Sequence, residues 1–195
     1  DDLAIFKKLL AEADVIVHGL RGDALEHLGL GAEERRHINP HLIDVALNAY
    51  GWSGPWAHRR GFDTVVQMST GLAAAEMAKA HSKEPQNLPV QALDYGTGHM
   101  MAAAVIRALI KARQNGTRLS ARFSLARTAM LVASISSTGS APLNPQNADD
   151  VSPRIETTHW GAAQRLKAPF SLQGLDFFWS RPAGLLGDGA PRFGI

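Results

Sequence analysis

The stretch Leu93-Asp94-Tyr95-Gly96-Thr97-Gly98-His99 sets a carboxylate beside two glycines where a strong helical pattern begins. A carboxylate at the head of a helix is stabilised as the anion by free N–H groups and the helix dipole, by about 0.3–1 kcal/mol when exposed. Such an anion is a nucleophile toward an activated acyl group, for example a thioester. Gly96 and Gly98 would let a bulky thioester approach and would leave N–H groups open to an oxyanion. A plainer use of the same residues is structural: Asp94 caps its helix, or Thr97 does. Residue types and spacing alone favour the cap. The stretch is not a phosphate P-loop, because the Gly-Lys-Ser/Thr ending is absent.

A second stretch, Tyr50-Gly51-Trp52-Ser53-Gly54-Pro55-Trp56, runs on to Arg60-Gly61-Phe62-Asp63. It follows a predicted strand, where open α/β sheets place their ligands. Tyr50, Trp52 and Trp56 could wall a pocket, and Gly51 would bring backbone N–H groups close to a ligand. The alternative is a structured surface turn with its aromatics packed on the core, which residue types favour. His37 and His41 stand four apart, but Asn39-Pro40 breaks the helix that would align them, so no metal site is expected. Met100 and Met101 read as core or pocket filling.

These residues need elements to hold them. Asp1 or Asp2 can cap a first helix with Leu3, Phe6, Leu10 and Ala13 at helical spacing. Residues 14–19, β-branched and ending in glycine, predict a buried strand, and 42–47 a second one. Short helices over 24–28 and from 31 onward lie between them, so the strands should be parallel with helical crossovers. One long helix is expected over 63–80, weakened at Gly71 by about 1 kcal/mol. Another is expected over 97–114, with Gly116 as its C-terminal cap. Residues 119–124 read as a strand, 125–133 as a helix, and 134–152 as a polar linker or surface loop. A hairpin is predicted over 170–179, turning at Gln173-Gly174, before a Gly/Pro-rich tail. The division that follows is an α/β core over 1–133, a linker over 134–155, and a hairpin with tail over 156–195 that packs back on the core.

Composition narrows the function. Of 195 residues, 45% are hydrophobic, enough for a sizeable core. Formal charge is +2, from 20 basic and 18 acidic residues, and the basic ones are scattered. Neither points to nucleic acid. There is no cysteine, which excludes disulfides, thiolate metal sites and a cysteine nucleophile, and fits a reducing cytoplasm. No apolar run approaches the roughly 18–20 residues that span a bilayer. The opening residues do not read as a signal peptide, and a start without Met directly at a helix is what a chain cut from a longer one would show.

The order of motifs resembles the class III CoA-transferase family, also called CaiB/BaiF. The residues that carry the likeness are Ala13-Asp14-Val15-Ile16-Val17, the stretch 21–30, Asn39-Pro40-His41-Leu42-Ile43, Gly51-Trp52-Ser53-Gly54-Pro55, Gly61-Phe62-Asp63 through Gln67 to Thr70-Gly71, and Asp94-Tyr95-Gly96-Thr97-Gly98. The likeness runs over about 13–130, with a fainter echo over 165–187. It implies a Rossmann-like three-layer α/β/α fold with a mostly parallel sheet, here with a C-terminal β-hairpin and tail. It further implies CoA transfer between an acyl-CoA and a carboxylic acid acceptor, with acyl-CoA as substrate and no tightly bound cofactor. Asp94 would be the nucleophile that carries CoA. Tyr50 and Gly51 would line the acyl and pantetheine pocket, Gly96 and Gly98 would bind CoA beside Asp94, and Arg21 would hold CoA phosphates. The family's assembly is an interlocked homodimer.

The sequence departs from the family in places. His18-Gly19-Leu20 replaces Glu-Asn-Phe before the Arg, Gly22-Asp23 replaces Pro-Gly, and Arg127 stands where an acidic residue is usual. The small domain with its glycine-rich loop has no counterpart, the linker standing in its place. Racemases of the family have a histidine where this chain has Phe62, which argues against α-proton chemistry. A non-catalytic subunit that supports a dimer is the remaining alternative.

Overall fold

Strand β2 (Ile43–Asn48) is paired on both sides, parallel to β1 (Val15–His18) and to β3 (Ala121–Ser124), with Val45 opposite Val17 and Ala121. Alternation along β2 sends its side chains to two different helical layers. Ile43 and Val45 pack on Met101 and Ala108 of helix α6 (Ala92–Asn115), the long helix of the fold. Asp44 turns the other way, to α3 (Ala32–Ile38), where Arg35 donates to its Oδ2 from Nε at 3.0 Å and from Nη2 at 2.6 Å. Burial pushes the Asp44 carboxyl up, but the His18 and Arg35 side chains outweigh it and hold the group below its ordinary value. Helix α1 (Asp2–Glu12) is stitched to α3 by Asn39, whose Nδ2 donates to the carbonyls of Leu10 and Ala13 at 3.0 and 2.8 Å. Between β1 and α3 lies the short α2 (Ala24–His27). The layered parallel α/β arrangement is the one the sequence predicts. The computed structural model describes residues 2–135 and 144–194, which divide into units over 1–136 and 137–195.

Three elements of the first unit differ from expectation. Strand β1 is an edge among the described strands rather than a buried strand, and Val17 is 57% exposed. The helix expected over 63–80 is two, α4 (Asp63–Ser69) and α5 (Leu72–Lys79), because Gly71 between them takes a left-handed φ of +80°. There the Thr70 hydroxyl folds back on the Val66 carbonyl at 2.7 Å, a local bond that competes with helix continuation. Helix α6 begins at Ala92, five residues before the predicted start at Thr97, and ends at Asn115, one residue past the predicted end, with Gly116 as its cap as expected. Helix α7 (Leu125–Ser134) follows β3 directly, the Ser124 hydroxyl accepting from the Arg127 N–H at 3.2 Å. A core of Ala49, Val66, Leu72, Leu93, Leu125 and Ala129 joins α4, α5, α6 and α7 to the end of β2.

In the second unit β4 (Val151–Thr158) and β5 (Gly161–Leu166) form an antiparallel ribbon. The predicted hairpin over 170–179 is reduced to one bridge, Leu172 with Leu175, around Gly174 at φ +79°. Strand β4 starts inside the stretch read as a polar loop, of which 136–143 lie outside the described residues. Pro153 masked the strand in the sequence. It is tolerated where the register slips between Val151 and Ile155, in a ribbon with a free edge. Arg165 ties the ribbon by donating to Glu156 at 2.7 Å and by stacking over Trp179.

Candidate active site

Asp94 is the third residue of α6, within its first turn. Gln91, in the cap position, is left-handed at φ +48° and gives no side-chain bond to the helix; Val90 before it is left-handed too, at φ +57°. Each such residue costs about 1–3 kcal/mol and persists only where its surroundings enforce it. The enforcement comes from α4. Asp63, buried to 1% exposure, accepts the Leu93 N–H at 2.7 Å and the Asp94 N–H at 3.0 Å on its Oδ2. Gln67, one turn along α4 and equally buried, donates to Asp63 Oδ1 and accepts the Leu88 N–H at 2.7 Å. A carboxylate does cap α6, therefore, but it is Asp63 rather than Asp94. Thr97 is no cap either: its hydroxyl donates to the Leu93 carbonyl at 2.6 Å and meets Thr128 Oγ1 at 2.6 Å.

The Asp94 carboxylate accepts no hydrogen bond among the described residues. It is exposed and opens on a cavity of about 570 Å³ along one face of α6, with Gln91, Tyr95, Gly98, His99 and Ala102. Partial burial, and after it the negative charge of Asp63, push its carboxyl above its ordinary value. The expected anion-holding helix start is thus already occupied by another anion. A carboxylate so raised is a stronger base and a stronger nucleophile while ionised.

The predicted glycines divide. Gly98 lines the Asp94 cavity, and a Cβ there would meet nothing within 4 Å. Gly96 faces α7, where a Cβ would lie 3.6 Å from Thr128 Cγ2. Both are inside α6 beyond its first three residues, so their N–H groups belong to the helix ladder and are not open donors to an oxyanion. Asp63, Gln67 and His99 stand in motifs noted in the sequence, but their types alone gave them no role. His99 Nδ1 donates to the Tyr95 carbonyl at 2.7 Å, which leaves Nε2 as the acceptor of the neutral ring beside Asp94. The signal for Asp63 and Gln67 was their i, i+4 spacing inside a motif already noted.

Tyr50 and Gly51 do not line the Asp94 cavity. Tyr50 packs on the core, holds Ser69 Oγ at 2.9 Å and stacks edge-on against Trp56 at 5.1 Å. Gly51, at φ +90°, is clamped by Asn48, which accepts its N–H at 2.6 Å and donates to its carbonyl at 2.8 Å. Arg21 lines a separate cavity of about 80 Å³ with His18, Arg36, Asp44, Trp52 and Arg122. Phe62, 78% exposed, offers no base at the head of α4. No group of three or more His, Asp or Glu among the described residues could hold a metal ion, and no helix among them is long and apolar enough to cross a membrane.

Comparison with known proteins bears on the family and the fold. The curated "Probable fatty acyl-CoA transferase Rv3272" of Mycobacterium tuberculosis is 39% identical over 109 residues, 56% of this chain and 27% of that protein. Its crystal structure superposes with a TM-score of 0.60 at 32% identity over 67% of this chain and 36% of that one. An "Acyl-CoA transferase" of Fusarium pseudograminearum is 31% identical over 162 residues, 83% of this chain and 33% of that protein. A CaiB/BaiF family protein of Brucella suis superposes with a TM-score of 0.57 at 25% identity, over 82% of this chain and 44% of that one. The chain thus matches about a third or less of the length of these curated relatives. With the family model described as CoA-transferase family III matching residues 1–164, the chain belongs to that family.

Proposed function

We propose that this chain carries the nucleophile of a CoA-transferase acting between an acyl-CoA and a carboxylic acid, and that Asp94 is that nucleophile. The observation that carries the reading is the Asp94 carboxylate, unbonded and facing an open cavity, on a helix whose cap is supplied by Asp63. A carboxylate kept only to cap a helix would not be left in this state.

Asp94 attacks the donor thioester carbonyl and expels CoA thiolate, leaving a mixed anhydride. The thiolate returns to the Asp94 acyl carbon, forming an aspartyl-CoA thioester and releasing the donor acid. The acceptor carboxylate then attacks that thioester, and the expelled thiolate takes the new acyl group, restoring Asp94. Each step exchanges one acyl–heteroatom bond for another with no net proton, so a raised carboxyl helps only as a better nucleophile. Arg21, with Arg36 and Arg122 around its cavity, supplies positive charge for the CoA phosphates. A homodimer in a reducing cytoplasm completes the proposal, supported by the family and by the absence of cysteine.

Intact-mass analysis after incubation with a panel of acyl-CoAs tests it. A CoA-sized, hydroxylamine-sensitive adduct in the wild type and none in Asp94→Ala is expected. No adduct with any donor would favour the second reading, a non-catalytic subunit. That reading draws on the Asp94 cavity being lined by α6 and the turn just before it.

A further inference from the structure

We propose that buried Asp63 is the positioning residue for Asp94, holding the first turn of α6 and occupying its anion site so that the Asp94 carboxylate stays free for the thioester. This rests on Asp94 being the nucleophile. Four observations converge on it. Both amides that Asp63 caps belong to the turn that bears Asp94, and one is the Asp94 N–H itself. That turn starts from two left-handed, non-glycine residues, a conformation that needs an external hold. The hold is braced in turn by Gln67, which bonds Asp63 on its other oxygen and fixes the backbone at Leu88 ahead of the turn. Asp63 and Gln67 are each 1% exposed and away from the open cavity, so neither can touch a substrate.

Without Asp63 the free N–H groups of the first turn would attract the nearest carboxylate, and Asp94 is on that turn. A carboxylate folded back onto N–H groups is a poorer nucleophile than one held clear of them. Asp63 thus removes a competing resting place for Asp94, and its own charge disfavours any approach of Asp94 to the helix end. Among the described residues, the titratable and charged groups facing Asp94 are Asp63 from α4 and Tyr95 and His99 from α6. Arg122 of β3 and Arg127 of α7 face a different cavity, with Trp52 and Met100.

The test follows aspartyl-CoA formation against pH by quenched mass analysis, with peptide mapping of the adduct, in wild type, Asp63→Asn and Gln67→Met. Asp63→Asn can keep its carbonyl oxygen toward both amides, but it loses the charge and sets an NH2 group against Gln67 Nε2. Trapping on Asp94 should slow by roughly 10- to 100-fold at neutral pH, and the acid limb of the rate should move to lower pH because the negative neighbour is gone. Gln67→Met keeps that charge while loosening its brace. Its trapping should slow with the acid limb unmoved, and this variant carries the test if Asp63→Asn does not fold. An adduct on Asp94 with wild-type rate and pH profile in both variants overturns the positioning role and leaves the nucleophile standing. A wild-type adduct that maps elsewhere, or none, overturns the nucleophile and the positioning role with it.

Discussion

Two carboxylates end up at the head of one helix with opposite duties, and burial assigns them. Asp63 is enclosed and spends both oxygens on protein donors; Asp94, thirty-one residues later, is open and spends neither. A carboxyl raised on folding binds its proton more readily in the folded state than in the unfolded one. Ionised Asp94 therefore subtracts from stability at neutral pH, and that deficit vanishes as pH falls below the ordinary carboxylate range, where both states are protonated. Asp94→Asn should raise stability at neutral pH by about 0.5 kcal/mol, a small value because solvent screens so exposed a group. That is a Tm gain of about 1–2 °C in thermal denaturation. The gain should shrink in acid, and a variant less stable at neutral pH would contradict the picture. Loss of the adduct with gain of stability is the expected signature of a group kept for chemistry.

Elements were legible in the sequence where their causes are local. The β-branched run at 15–17, the apolar residues of 42–47, the short helices between them and the glycine stop at Gly116 each follow from a few adjacent residues. The start of α6 was not, because its cap sits in α4 and no window around Asp94 contains Asp63. Pro153 hid β4 in the same way: its tolerance depends on a ribbon edge that only pairing reveals. Glycines at the site divide by the same logic. At Gly61 a Cβ would lie 2.7 Å from Ala49 Cβ, 3.1 Å from Tyr50 and 3.2 Å from Val66, where the 50–62 loop closes on the core. Gly61→Ala should cost about 1–3 kcal/mol by overpacking, read as a clear fall in Tm. Gly98→Ala enters open space in a helix and should gain up to about 1 kcal/mol. Its methyl would narrow the Asp94 cavity, so trapping should slow while Tm rises. Equal effects of the two changes on Tm would mean that the Gly98 face is covered in the working protein.

At the scale of the molecule, α6 is a 24-residue helix, about 36 Å long, buried on one side only. Leu93, Thr97, Met101 and Ala108 are its buried residues, whereas Ile106 and Ile110 are 59% and 49% exposed. With Ala103 and the stems of Arg107 and Lys111 these isoleucines line an open cavity of about 330 Å³. Burying two such isoleucines would be worth about 1.5–3 kcal/mol each, a gain left unused among the described residues of the helix that also bears Asp94. In the homodimer proposed above, this face is where a second copy would lie. Ile106→Glu with Ile110→Glu should then turn a sedimenting dimer into a monomer while circular dichroism is unchanged, because both residues point away from the core clusters. An unchanged mass with a lowered Tm would instead assign the face to contacts within one polypeptide, in keeping with relatives about three to four times the matched length. The two outcomes separate an α6 face covered by a partner from one covered by its own chain.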